Sequence, residues 1–507
     1  MESNEITPSL DTPKNGVYQR SIHGGAWYFF DIIGQKAIGF VSFFILARLL
    51  APADYGVISA VFLAFGFLDL LTNPAFGDAL TQKKESVEPY LDAQWTFDLI
   101  RTSVLAVILF LIAPWLATFF NLAPTDVPLM RAAGLLLLIP MFGNVRQIYF
   151  FKQLNFRNIF IRDVISQVAF TSVAILYAWK VNASAAALFA GFLAQYVTGT
   201  IASYILYPSK PKLSFEFKKL HELLGYSKWV YGQNLADYLL GFLDRILIGR
   251  LLDPAALGFY AKAKDLAAMP TVIVTSIISR VGFPAFSNIQ DKMEKVREGF
   301  VKSYDILIMS GVPITLLIAL EGGSIVQVLM GERWLPLVVP FKIFALGSLF
   351  LAGTRVVNAV FAALGKPKIN FQMNAMQAVI SAPLMYLGVR WAGVNGLAMV
   401  MCGIWFLLFG YASIRARSVL NLALRDVLPL AQSATAAFIA TVGLDIIGRD
   451  AVHAAMSPWL DMAWIAILGL TYTVVLFAMS RVLGKGPWQT GWSILRELGI
   501  GRRTQTA

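Results

Sequence analysis

The sequence predicts an all-α membrane protein of about fourteen transmembrane helices: two six-helix repeats, plus two C-terminal accessory helices. Three observations predict it. The chain has 507 residues, of which 57% are hydrophobic and only 14% charged, against about 25% charged in soluble domains. Apolar runs long enough to cross a bilayer recur along its whole length. A distinctive turn occurs twice in one register.

That turn is Arg48-Leu49-Leu50-Ala51-Pro52-Ala53-Asp54-Tyr55-Gly56, which returns as Arg250-Leu251-Leu252-Asp253-Pro254-Ala255-Ala256-Leu257-Gly258. Each copy joins two apolar segments, and the offset of about 202 positions also carries Trp27 onto Trp229, the mark of an internal duplication. Taken alone, each turn reads as a tight helix–helix connection.

A span needs roughly 20 mostly apolar residues. Candidates lie near 26–47, 57–80, 95–119, 129–151, 162–179, 184–207, 228–252, 258–282, 300–321, 334–361, 369–390, 394–415, 428–449 and 460–483. With the N-terminus in the cytoplasm, roughly 27 of the 42 Lys and Arg residues fall inside, 7 outside and 8 within spans, as the positive-inside rule requires. Lys83/Lys84, Lys152/Arg157/Arg162, Lys210/Lys212/Lys218/Lys219, Lys292/Lys295/Arg297, Lys366/Lys368, Arg415/Arg417 and Arg502/Arg503 all reach the cytoplasmic side, and both termini lie there. The net charge of +12 thus reflects membrane orientation and calls for no nucleic-acid partner.

The expected organisation is a cytoplasmic segment 1–22, a first lobe 23–207, a linker 208–227, a second lobe 228–417, accessory helices 418–484 and a cytoplasmic tail 485–507. Residues 1–22 lack the apolar core of a cleavable signal peptide. In the linker, Phe215, Phe217, Leu220, Leu223 and Leu224 alternate with Lys218, Lys219, His221 and Glu222, which suits an amphipathic interfacial helix. Trp488, Trp492, Leu495 and Leu498 suggest another in the tail, and either helix could instead bind a partner. Pro74, Pro114, Pro140, Pro270, Pro313 and Pro383 sit within spans, where proline kinks helices and opens polar cavities.

The single Cys402 excludes an intrachain disulfide, and three scattered histidines, His23, His221 and His453, suggest no metal. No phosphate-binding glycine loop is present, the external loops are short, and no cofactor is expected. These absences argue against an enzyme.

Ionisable residues inside spans are costly and mark functional surfaces. Asp31, Gln35, Gly39 and Ser42 share one face of the first span, with Lys36 beside it near the expected midplane. Asp69 and Asn73 lie in the second, Asp98 and Arg101 in the third, and Arg146 at the end of the fourth. The seventh carries Asp237, Asp244 and Arg245, the eighth Lys262, Lys264 and Asp265, and the tenth Lys342 and Arg355. Asp98/Arg101 and Asp244/Arg245 also read as structural ion pairs, while Arg146, Arg355, Lys262 and Lys264 also read as snorkelling residues. As a functional set, Lys36, Arg101, Arg146, Arg245, Lys262 and Arg355 would bind an anionic substrate such as a diphosphate. Asp31, Asp69 and Asp237 are candidates for a coupling proton or sodium ion.

Several motifs resemble those of the Wzx-type polysaccharide flippases, in particular the exopolysaccharide and colanic acid exporter branch of the multidrug/oligosaccharidyl-lipid/polysaccharide exporter superfamily. In the first repeat these are Gly25-Ala26-Trp27, the stretch Ile45 to Gly56, Gly77-Asp78-Ala79-Leu80-Thr81-Gln82-Lys83-Lys84 and Leu154-Asn155-Phe156-Arg157. In the second they are Leu243 to Arg250, Leu257-Gly258-Phe259-Tyr260, Phe283-Pro284-Ala285-Phe286-Ser287 and Gly331-Glu332-Arg333-Trp334. The likeness covers roughly residues 22–420, and most of its motifs sit at helix ends and loops rather than in a cavity. It implies a V-shaped bundle of two six-helix lobes around a central cavity, plus two accessory helices, in the bacterial inner membrane. Undecaprenyl-diphosphate-linked oligosaccharide would cross to the periplasmic leaflet by alternating access coupled to an ion gradient. The implied partners are that lipid-linked oligosaccharide, membrane lipid, a proton or sodium ion, and polysaccharide polymerase or export machinery. A cation-coupled multidrug exporter and a peptidoglycan-precursor exporter of the same superfamily are the alternatives.

Overall fold

The computed structural model describes residues 14–492 except positions 84, 154, 224–230, 232–234, 236–240, 278–285, 287–288, 290, 423, 455–457, 484–485, 487 and 491. Asp237, Trp229, Leu495 and Leu498 lie outside the described residues. The described residues are helical with no strand, and nine of their helices are long and apolar enough to cross a membrane. The chain divides into two compact units, Met1–Gly258 and Phe259–Ala507.

The first unit contains α1 (Lys14–Leu49), α2 (Pro52–Thr72), α3 (Phe76–Gln82), α4 (Glu88–Phe119), α5 (Val127–Met141), α6 (Ile148–Lys152), α7 (Phe156–Lys180), α8 (Ala185–Leu206) and the short α9 (Phe217–His221). The polar face read on α1 packs against α7: Gly34 and Gly39 admit Phe160, Val164 and Gln167 to the helix surface. Asp31 and Ser42 are buried there. Two expected spans are broken. The second ends at Thr72 because Asn73-Pro74 stops the helix; the Asn73 side chain then accepts the Ala75 N–H at 3.0 Å, and Ala75 turns into the left-handed region at φ 57°. The fourth breaks after Pro140, and its two pieces meet at 65°. Pro114, by contrast, is carried inside an unbroken α4.

Asn144 holds the second break together. It is fully buried; its amide nitrogen donates to the Tyr207 and Ser209 carbonyls at 2.6 and 3.1 Å, and its Oδ1 accepts the Arg146 N–H at 3.0 Å. Replacing Asn144 with alanine strands these buried groups, so a loss of about 2–4 kcal/mol is expected. The check is a lower thermal midpoint of the purified variant.

The linker differs from the interfacial helix its sequence suggests. Pro208 and Pro211 hold Ser209–Glu216 out of helical conformation, and among the linker's described residues helix forms over Phe217–His221. The extended stretch is strapped onto α4: Lys212 N–H donates to Asp92 at 3.2 Å and Ser214 N–H to Thr96 at 2.9 Å. Leu220 and Leu223, read as a membrane-facing stripe, are buried against Phe76, Leu80, Val87 and Leu91.

The duplicated turns meet within this unit. In the first copy Asp54 reaches back to accept the Ala51 N–H at 2.8 Å; in the second Asp253 accepts the Ala256 N–H at 2.7 Å. Both devices start a helix at a proline in its first position. A Cβ on Gly56 would lie 1.7 Å from the Pro254 carbonyl oxygen, and one on Gly258 would lie 2.0 Å from that of Pro52. The helix starts therefore touch backbone to backbone, reciprocally. Nearby, Asn121, at φ 53°, donates through its amide nitrogen to the carbonyls of Arg250 and Leu252, both at 2.9 Å.

The second unit contains most of α10 (Pro254–Ile277), then α11 (Met293–Met330), α12 (Val338–Ala363), α13 (Pro367–Leu420), α14 (Leu424–Ala454) and α15 (Pro458–Val482). Helix α11 breaks at Glu321, beside Gly322-Gly323, rather than at Pro313. Lys342 packs over Gly322 and donates to the Leu320 carbonyl at 3.1 Å. Helix α13 is two helices joined at Ala392–Gly393, where Gly393 takes φ 56°. The close approach of Gly388 and Gly396 brings these two expected spans together. Val356, Phe361, Met373, Leu408 and Ala412 belong to one buried cluster of this unit. Leu316 packs with Ala437, Tyr472 and Leu476, fixing α14 and α15 to α11. Of the tail residues read as amphipathic, Trp488 packs on Phe477; next to it Thr490 is buried and its hydroxyl donates to the buried Asp305.

Candidate functional site

A polar concavity in the first unit lies among α1, α3, α4, α5, α6, α7 and α8. It consists of two adjoining cavities of about 310 and 300 Å³, which share Pro140, Gly143, Gln147 and Arg162 as lining residues. Gln35, Asp163, Gln195 and Thr200 line one, and Gln94, Trp95, Asp98 and Thr81 the other. The break after Pro140 creates the shared wall, because chain that leaves the helix here turns Gln147 toward Arg162.

Arg162 is the central cation. Its Nε donates to Asp163 at 2.7 Å and its Nη1 to Gln147. On α1, the buried Asp31 accepts from Gln35 at 2.8 Å, and Gln35 also reaches Asp163 at 3.4 Å. Asp31, Gln35, Asp163, Arg162 and Gln147 thus form one connected network between α1 and the α5–α6 break. The sequence places Arg162 in a loop cluster; the structure places it in a cavity wall, because α7 begins six residues earlier.

The other site candidates have distinct surroundings. Arg101 is largely buried and donates to Asp69 at 2.8 Å and Thr72 at 3.0 Å, with Asp98 3.6 Å away. The sequence pairing of Arg101 with Asp98 is therefore joined by Asp69, so both carboxylates share one guanidinium. Arg146 is held by Glu88 at 2.7 Å and Asp92 at 3.1 Å, beside the strapped linker. Asp244 is fully buried and accepts the Arg245 N–H at 2.8 Å, while the Arg245 guanidinium lies over the Phe242 ring. Lys36 is exposed on α1, with no ion pair among the described residues.

In the second unit a smaller cavity of about 160 Å³ is lined by Lys264, Asp265, Thr271, Ser348, Arg355 and Trp405, among others. It brings together basic residues of the eighth and tenth expected spans, with Lys262 half-buried on the same helix as Lys264. A separate buried group gathers at the α11 break, where Glu321 is 1% exposed and 3.6 Å from Arg449. The Lys342 amine lies in the field of Glu321, Arg449 and Asp445, and Asp445 accepts from the Trp464 indole at 3.2 Å. Sequence reasoning names Lys342 but passes over Glu321, Asp445 and Arg449, which lie at or beyond the ends of strongly apolar runs.

Residues 45–339, more than half of the chain, match the family described as polysaccharide biosynthesis protein. The chain belongs to that family. Among this family member's relatives, the lipopolysaccharide biosynthesis protein WzxC of Escherichia coli K12 is 22% identical over 75% of this chain and 77% of its own. The teichuronic acid biosynthesis protein TuaB of Bacillus subtilis is also 22% identical, over 76% and 80%. The succinoglycan biosynthesis transport protein ExoT of Rhizobium meliloti is 24% identical over 61% and 62%. The fold of this polysaccharide biosynthesis protein matches the lipid II flippase MurJ in its inward closed conformation, with a TM-score of 0.69, 14% identity, and 92% of this chain and 100% of that one covered. An inward-facing multidrug resistance transporter of the MATE family matches with a TM-score of 0.56 at 14% identity, over 76% and 94%. The protein is therefore a multi-pass membrane protein with the helical fold of those two structures.

Proposed function

We propose that the protein is a flippase that carries undecaprenyl-diphosphate-linked oligosaccharide repeat units across the bacterial inner membrane for exopolysaccharide or surface polysaccharide assembly. The observation that carries this reading is membership of a polysaccharide biosynthesis family combined with the fold of a lipid II flippase. The two six-helix lobes, with both termini cytoplasmic, move by alternating access driven by a proton or sodium gradient. Polysaccharide polymerase and export machinery act on the delivered units.

In the first unit Lys36 on α1 is the candidate contact for the diphosphate, and in the second unit Arg355 with Lys262 and Lys264, while Arg162 is engaged by Asp163 and belongs to the cavity wall. Arg101, Arg146 and Arg245 support the walls, since carboxylates or an aromatic ring already engage them. Asp31 is the best placed of the acids to couple a proton, because its buried carboxylate sits in the Gln35–Asp163–Arg162 network. Asp69 is committed to Arg101, and Asp237 remains a candidate on sequence grounds.

Deleting the gene should abolish secreted polysaccharide and leave lipid-linked oligosaccharide on the cytoplasmic leaflet. Unchanged secretion without accumulated intermediate, in a strain with no second flippase, would overturn the reading. It would favour the multidrug-exporter alternative that the MATE-like fold supports. Lys36→Ala should insert normally yet export at most about a tenth as fast, the loss of one charge-assisted contact of about 1.5–3 kcal/mol. Wild-type secretion by this variant removes Lys36 from the substrate path.

A further inference from the structure

The cavity bounded by α3, α4, α5 and α6 contains two polar atoms whose hydrogen-bonding capacity is unused. Gln94 is 8% exposed, and its Oε1 has no hydrogen-bond partner among the described residues. The neighbouring Trp95 presents an indole Nε1–H that is likewise buried and unpartnered. Both residues line the cavity of about 300 Å³. Buried polar groups are rarely left so, and each unsatisfied one costs about 1–3 kcal/mol. One atom is an acceptor and the other a donor, on consecutive residues of one helix.

Charge narrows what could satisfy them. Arg101 is shared by Asp69 and Asp98, and Arg162 is paired with Asp163, so the cavity's lining groups carry no net positive charge. Gln147 and Gln94 contribute amides, while Trp95 and Phe151 contribute aromatic surface. Such a wall offers a diphosphate no uncompensated cation. It suits an uncharged polyhydroxylated ring, whose hydroxyls each donate and accept and whose C–H face rests on an aromatic side chain.

We infer that this cavity binds a sugar ring of the transported lipid-linked oligosaccharide. One sugar hydroxyl donates to Gln94 Oε1, and an adjacent sugar oxygen accepts from Trp95 Nε1–H. The inference rests on the flippase reading and adds to it a carbohydrate subsite separate from the cations assigned to the diphosphate. The two residues line the cavity while these atoms are buried, so a rotamer change of the two side chains accompanies binding.

The test uses the full chain. Wild type, Trp95→Phe and Gln94→Leu are expressed at equal membrane levels in the deletion strain, and secreted polysaccharide is measured. The purified proteins in nanodiscs are then titrated with D-glucose, D-galactose and N-acetyl-D-glucosamine by saturation-transfer NMR, with and without inorganic pyrophosphate. Trp95→Phe removes one N–H that no described protein atom uses, so it should fold as wild type does. Each variant is expected to secrete roughly three- to tenfold less, the factor for one lost hydrogen bond. Any sugar that binds wild type should bind the variants weaker by a similar factor, undisturbed by pyrophosphate. Wild-type secretion by both variants overturns the subsite, as does displacement of bound sugar by pyrophosphate. Failure of the wild-type chain itself to restore secretion overturns the flippase reading instead, so the two failures are distinguishable.

Discussion

Arg101→Ala should be the most damaging single substitution of a charged residue in the first unit. It leaves Asp69 and Asp98 facing each other with no cation between them, and removing one partner of a buried ion pair costs about 3–5 kcal/mol. Cys402 is the single cysteine and is half-buried on α13, so a thiol-reactive dye can follow unfolding of the detergent-purified protein. The expected result is a sharply lowered midpoint or failure to accumulate in the membrane. Replacing all three residues together, with Arg101→Met, Asp69→Leu and Asp98→Leu, should be milder than Arg101→Ala alone, because no unpaired buried charge is left. A triple variant less stable than Arg101→Ala would show that the guanidinium stabilises by packing rather than by charge.

Gly56→Ala and Gly258→Ala should have the second largest effect. Each places a methyl group at 2.0 Å or less from a backbone carbonyl oxygen, and a helix start cannot yield as a flexible side chain can. Overpacking of this kind costs about 1–3 kcal/mol, and here the upper end is expected. The coupling is more informative than either value. Both methyl groups push the same two helix starts apart, so a shift that admits one admits much of the other. The double variant should therefore be less unstable than the sum of the singles. Strict additivity in the same dye-based melt would mean that the two contacts yield independently.

How much of this was legible in sequence follows from where the information lies. Long apolar runs fix helices well: the spans read at 95–119, 184–207 and 460–483 become α4, α8 and α15. The two spans expected at 369–390 and 394–415 share α13 but are separated at Gly393. Breaks at Asn73–Ala75 and after Pro140 fall at two of the prolines read as kinks, but Pro114 and Pro313 give the same signal inside continuous helix, and hydropathy averages over a turn that three or four residues can make. The linker misled because Leu220 and Leu223 have the same spacing whether they face lipid or the Phe76–Leu91 cluster.

Charged candidates were read from span position and local spacing, which pair Arg101 with Asp98 but cannot find Asp69 on another helix. Nor can they show that Arg162, read in a loop cluster, lines a cavity. The glutamines carry no charge and little hydropathy signal, so Gln94, Gln147 and Gln195 passed unnoticed. A glutamine in an apolar run, such as Gln94 in Ala93-Gln94-Trp95, was the available clue.

The Asn121 cap sets a clock on assembly. Its three carbonyl acceptors, on Gly249, Arg250 and Leu252, lie 128, 129 and 131 residues further along the chain. At about 5–20 residues per second of synthesis, roughly 6–26 seconds separate the emergence of Asn121 from that of its acceptors. Throughout that interval the Pro52–Gly56 helix start also lacks its counterpart. The first repeat therefore enters the bilayer with its most intimate backbone contact unmade, and only the second copy of the turn, once translated, can complete it.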